Sequence, residues 1–97
     1  MANYVLLSSF TDQGIRTIKD TTKRAEAFKE MAKAQGATVK ELFWTQGAYD
    51  VVSIVDVPDE ITAMALTAQI CKGGNIRTQT LRAFTQAEIG KVLAKVS

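Results

Sequence analysis

The run "YDVVSIVDV", Tyr49 to Val57, constrains the fold of this chain more than any other stretch. Side chains on a strand alternate, so Tyr49, Val51, Ser53 and Val55 point one way and Asp50, Val52, Ile54 and Asp56 the other. Both sets are substantially apolar. A strand with one wet face reads apolar-polar, whereas a near-continuous apolar run signals burial on both faces. Each large side chain left in water forgoes roughly 1.5–3 kcal/mol, a large loss for a domain whose whole stability is about 5–15 kcal/mol. The strand therefore belongs to a sheet that needs cover on two sides.

The remaining elements follow from periodicity and caps. "NYVLLSSF", Asn3 to Phe10, reads as a first strand and ends at the turn-like "TDQG". Asp20 is placed to cap a helix running to Gln35, with Thr21, Ala25, Phe28 and Ala32 on one face and Gly36 as its stop. Ala37 to Trp44 and Ala48 to Val57 read as a hairpin joined by "TQG". Pro58, with Asp59 and Glu60 behind it, opens a second helix to about Lys72. This helix carries two apolar stripes, one through Ile61, Met64, Ala65, Ala68 and Cys71, the other through Ala63, Leu66 and Ile70. Asn75 to Phe84 is a fourth strand, and "TQAE", Thr85 to Glu88, fits a capping box for a short closing helix.

The order is β-α-β-β-α-β plus a terminal helix. With right-handed crossovers it predicts an α+β, ferredoxin-like domain: a four-stranded antiparallel sheet with both main helices on one face. The other sheet face is then left bare, which predicts a homodimer or larger assembly with two sheets facing each other. The 97 residues suit one domain, residues 1–97, with 46% apolar and 23% charged side chains.

Composition removes several classes of function. The formal charge of +2 lacks the concentrated basic footprint of a nucleic-acid or membrane-surface partner. No apolar run approaches the roughly 20 residues of a membrane span, and the first residues lack the pattern of a signal peptide. The expectation is a soluble, cytoplasmic chain. It has no histidine and one cysteine, Cys71, so imidazole-dependent nucleophiles, His- or Cys-bearing zinc sites and an internal disulfide are excluded. No cofactor or metal is implied.

Five residues are candidates for chemistry. Asp50, half-buried beside Tyr49, can serve as a general base while the phenol donates to a developing oxyanion. Alternatively Asp50 binds backbone amides of the Gln46-Gly47 turn or pairs with an arginine. Arg16, in the glycine-bearing loop "TDQGIRTIK", can help hold an anion. That loop faintly resembles the one in acylphosphatases, on Gln13, Gly14 and Arg16 alone. Arg82 shares a strand face with Ile76, Thr78, Thr80 and Phe84 and can line an inter-sheet cavity or form an interfacial ion pair. Trp44 can stack on a ligand or anchor a core. An RNA-recognition domain has the same element order, but "AYDVVSIV" has an acid where such a strand wants Lys or Arg, and lacks the second aromatic.

Gly47, Tyr49 and Asp50, with "FTDQGIRTIKD" and the following Arg24, "PDE" at Pro58 to Glu60, and "GNIRTQTLRAFT" from Gly74 to Thr85, resemble the GYD domain family across nearly the whole chain. Thr21-Thr22 departs from it, since the family commonly has a proline there. The resemblance implies a ferredoxin-like subunit related in architecture to dimeric α+β barrels, and a family largely of unknown function. Three readings follow: a homo-oligomeric module binding a small organic, anionic molecule near Arg16, Trp44, Tyr49, Asp50 and Arg82; a cofactor-independent isomerase or monooxygenase using Asp50 and Tyr49; and a structural or interaction module without ligand.

Overall fold

The computed structural model describes residues 1–97. Strand β1 (Ala2–Phe10) leads through a short helix α1 (Asp12–Arg16) and a 3-10 turn (Ile18–Asp20) into α2 (Thr21–Ala34). Strands β2 (Thr38–Trp44) and β3 (Val51–Val57) follow, then α3 (Glu60–Lys72), β4 (Ile76–Ala83) and α4 (Gln86–Leu93). The four strands form one antiparallel sheet in the order β2-β3-β1-β4.

Local chemistry explains the boundaries. The carboxylate of Asp59 accepts the Thr62 amide at 2.7 Å, so Asp59 is the cap and α3 starts at Glu60, two residues beyond the proline expected to open it. The reciprocal Thr85/Glu88 box forms at the head of α4. At the far end of α2, Gly36 adopts a φ of 77°, a left-handed conformation that glycine reaches without strain, and turns the chain toward β2.

One sheet face carries the helices. Register aligns Tyr4 with Val55 and Leu6 with the buried Ser53, and Tyr4, Leu6 and Val55 share the core with Phe28 and Ala32 of α2 and Ala63 and Leu66 of α3. Val55 and Val57 are almost wholly enclosed. Of the two apolar stripes on α3, the one through Ala63, Leu66 and Ile70 faces the core, while Ile61 and Met64 are 80% and 69% exposed.

The opposite face has no cover from its own chain. Val5 pairs with Ile54 and Leu81, and Leu7 with Val52, which in turn pairs with Phe43. Six apolar side chains from four strands thus share a surface, four of them half-buried by their neighbours, with Phe43 56% and Leu81 39% exposed.

Four expectations need correction. The sheet is not closed into a barrel, and the dimeric α+β barrel architecture does not hold: β2 and β4 are free edges of an open sheet. Four twisted strands are too few to curl until their edges meet, when even a compact five-stranded barrel remains partly open. "TDQGIR" is not an open loop but contains α1, capped by the Thr11 hydroxyl on the Gly14 amide at 3.1 Å. Tyr49 does not share a face with Val51, because β3 begins at Val51 and the Tyr49 hydroxyl reaches Gln79, whose register position lies on the open face beside Leu7. Finally, α4 does not close the domain; Ile89, Val92 and Leu93, with Val96 just beyond, stay exposed.

Candidate functional site

The separated stretches of the chain that carry its most distinctive residues converge at the end of β1. Asp50 Oδ2 accepts the Phe10 amide at 2.8 Å, and the Asp50 amide donates to Ser8 O at 2.8 Å. One residue further, Thr11 donates its amide to Asn75 O at 3.0 Å and its hydroxyl to Gly74 O at 2.5 Å. Gln13 Nε2 donates to Gly73 O and Asn75 Oδ1 at 3.1 and 3.0 Å. The α3–β4 connection is thereby latched to α1. Gly14 sits so close that a Cβ there would lie 1.9 Å from Asn75 O, so the latch needs a glycine.

Arg24 of α2 braces this arrangement from the helix side. Its Nη1 donates to both O and Oγ1 of Thr17 at 3.0 Å, and its Nη2 donates to Gly14 O at 3.2 Å. The guanidinium thus meets two carbonyls at the C-terminal end of α1, where helices leave acceptors unpaired; Thr17 O also accepts the Asp20 amide as it opens the 3-10 turn. No carboxylate lies within ion-pair distance of it; the ion pairs of the molecule are Lys29–Glu26 and Arg82–Glu88.

Beside the latch, a cavity of about 340 Å³ opens between the sheet and the two main helices. Its sheet wall is made by Ser8, Phe10, Val51, Leu42, Trp44 and Ile76, its helix wall by Phe28, Met31, Ile70 and their neighbours. Trp44 Nε1 donates to Thr21 Oγ1 at 3.0 Å, which ties the β2 edge to the start of α2 across the cavity mouth. Arg24 is the single charged residue in the lining.

Of the five residues singled out from the sequence, Trp44 alone lines this cavity. Asp50 is held by the Phe10 amide rather than by amides of its own turn. Tyr49 donates to Gln79 Oε1 at 2.8 Å over the open sheet face. Arg16 is exposed in the last turn of α1. Arg82 is aligned with Tyr4 on the helix-bearing face, so it does not line a space between sheets. Its guanidinium lies 4.4 Å over the Phe84 ring and 5.7 Å from that of Tyr4, donates to the carbonyls of Asn3 and Ala83, and pairs with Glu88 at 3.4 Å. The five do not form one site.

Two carboxylates are held below their ordinary range, and both are helix caps away from the cavity. The backbone amide of Thr62 lowers Asp59, and the backbone amide of Thr85, aided by Arg82, lowers Glu88. No cluster of three Asp, Glu or Cys side chains is placed to hold a metal ion.

Arg24, noted in the sequence only for the family resemblance, was not among the candidate site residues. Its signal is helical spacing: Phe28 and Met31 lie four and seven positions on, so an arginine stands in line with the apolar face of α2 rather than among Lys23, Glu26, Lys29, Glu30 and Lys33.

The chain is 28% identical over 90 residues to the glutamine synthetase and cystathionine beta-lyase binding protein of Thermus thermophilus, an alignment covering 92% of this chain and 95% of that protein. It is thus distantly related to a protein-binding protein, and its own domain type is largely uncharacterised in function. A GYD domain model matches residues 4–93, most of the chain, and the protein belongs to the GYD domain family.

Proposed function

We propose that this chain is a protein-binding module that pairs with a second copy of itself through the open sheet face and offers its helix layer to a partner protein. The observation that carries this reading is the bare apolar surface formed by Val5, Leu7, Phe43, Val52, Ile54 and Leu81. A chain that spends half its strand positions on such a surface is stable and soluble when a matching surface covers it.

A second copy is the occupant that fits. The sheet spans about 25 Å by about 19 Å from strand rise and spacing, roughly 500 Å², short of the ~800 Å² per partner of a stable interface. The exposed stripe of Ile89, Val92, Leu93 and Val96 supplies the missing area if α4 reaches across to the other copy. Two sheets paired in this way direct both helix layers outward, where Ile61 and Met64 stand free on α3. The Thermus relative is named for binding glutamine synthetase and cystathionine beta-lyase. By analogy we assign the partner of this chain to the same kind, a biosynthetic enzyme of amino-acid metabolism, docking on the outer stripe of α3.

The catalytic reading has less support. A general base needs a free carboxylate facing substrate. Asp50 already accepts a backbone amide, and neither it nor Tyr49 lines the cavity.

Interferometry with immobilised chain and purified glutamine synthetase or cystathionine beta-lyase of the same source tests the partner assignment. Saturable binding that falls at least tenfold in Met64→Asp is the expected result. Absence of binding to both enzymes, or equal binding by the variant, overturns it.

A further inference from the structure

We propose that the cavity between the sheet and helices α2 and α3 binds a small organic carboxylate with an apolar body, its carboxylate on Arg24 and its body against Trp44. This inference does not rest on the protein-binding reading, since the cavity lies on the other side of the sheet from the surface assigned to a second copy.

Charge carries the argument. Arg24 is half-buried, always protonated and the single charge in an otherwise uncharged lining, with no carboxylate of the protein as its counter-ion. Its Nη atoms are fixed by Gly14 and Thr17, while Nε–H has no acceptor within the protein. The guanidinium is therefore already oriented, with donor capacity left over, and a carboxylate oxygen is the acceptor that suits it. An ordered donor binds with less loss of side-chain freedom than a mobile surface arginine.

The walls select the rest of the ligand. About 340 Å³ lies at the lower end of small-molecule pockets, which run from roughly 300 to 1,000 Å³. Phe10, Leu42, Trp44, Val51 and Ile76 make the sheet wall largely apolar, with Ser8 and Asn75 as neutral polar groups. One cation against such a wall favours a monoanion with an aromatic or branched aliphatic body. A dianion would be matched by only one positive charge there, since the remaining polar groups of the lining, Ser8, Thr21, Gln69 and Asn75, are neutral.

Trp44 is the one tryptophan of the chain, so its fluorescence reports from the cavity itself. The probe is phenylacetate, with neutral phenylacetamide as the matched control, each titrated by calorimetry and by Trp44 emission. Phenylacetate is expected to saturate with a Kd of about 1 mM or below, the ordinary reach of about ten non-hydrogen atoms, and to shift Trp44 emission. Phenylacetamide is expected to bind at least tenfold more weakly. Arg24→Gln should weaken phenylacetate at least tenfold, and Ala25→Leu, which narrows the cavity while keeping the arginine, should do the same. Lys33→Gln, an equal change of charge on the exposed side of α2, should leave binding unchanged. If Arg24→Gln fails to fold, the acid–amide pair on the native chain and Ala25→Leu decide the matter. Equal binding of acid and amide, no saturable binding of either, or unchanged binding in folded Arg24→Gln or Ala25→Leu overturns the proposal.

Discussion

Asp50 Oδ2 accepts the Phe10 amide across 2.8 Å, and the amide of Asp50 itself donates to Ser8 O at the same distance. Two bonds in opposite directions clamp the entry of β3 to the exit of β1. The carboxylate that looked like a base at the mouth of an apolar strand is a splice between strands. An amide left without a partner in a half-buried place costs about 1–3 kcal/mol. Asp50→Ala should therefore lower unfolding free energy by about that amount in urea titration, and Asp50→Asn, whose side-chain oxygen can still accept, by less. Wild-type stability in Asp50→Ala would show that the splice is idle.

Gly14→Ala probes the latch beneath α1. The added methyl would stand 1.9 Å from Asn75 O, so either α1 or the Gly73–Asn75 turn has to move. Overpacking of this kind costs about 1–3 kcal/mol, and the shift also disturbs the Thr11 and Gln13 bonds. Thermal unfolding should show a clear drop in Tm for Gly14→Ala and almost none for Gly90→Ala, where a Cβ meets nothing within 4 Å. Equal Tm values for the two variants would contradict the close approach.

Acid stability follows from the helix caps. Asp59 and Glu88 are lowered from ordinary values of 3.8 and 4.5, chiefly by the backbone amides of Thr62 and Thr85. A carboxylate whose folded pKa is depressed adds stability that is fully present above its unfolded value and is lost as pH falls through its folded value. The urea midpoint should hold level above the ordinary Glu88 value of 4.5 as far as these two groups are concerned, then fall as the pH drops below it. The double variant Asp59→Asn, Glu88→Gln should show a shallower acid limb across the same window. An unchanged limb would mean that the caps carry no charge-dependent stability.

The elements with strong periodicity were legible in the sequence. The strand expected over Asn3 to Phe10 lies within a residue of β1, that over Ala48 to Val57 contains β3 and overruns its start by three residues, and the Thr85/Glu88 spacing located the start of α4 to the residue. What stayed hidden depends on contacts distant in sequence. Helix α1 is five residues long with a glycine inside it, too short and too poor a helix former to announce itself, and it is held by Gly74 and Asn75 some sixty positions away. The facing of Tyr49 was misread because alternation was carried two residues past the true start of β3. The two stripes of α3 were both visible, but their assignment turned on packing: Leu66 meets Phe28 and Val55 in the core, and Met64 does not. The candidate site fared least well, since a cavity between layers leaves its mark only as one arginine in line with an apolar helix face.

The open sheet is the feature on which the account depends most. Light scattering behind size-exclusion chromatography at about 10 µM, run on the native chain and on Ile54→Glu, addresses it directly. Ile54 sits in the middle of the bare face, opposite Val5, and contributes nothing to the helix-side core, so the charged variant should keep its fold. A mass of at least two chains is expected for the native protein and of one chain for folded Ile54→Glu. A native protein that elutes as a single chain, or a variant that assembles as the native does, would contradict it.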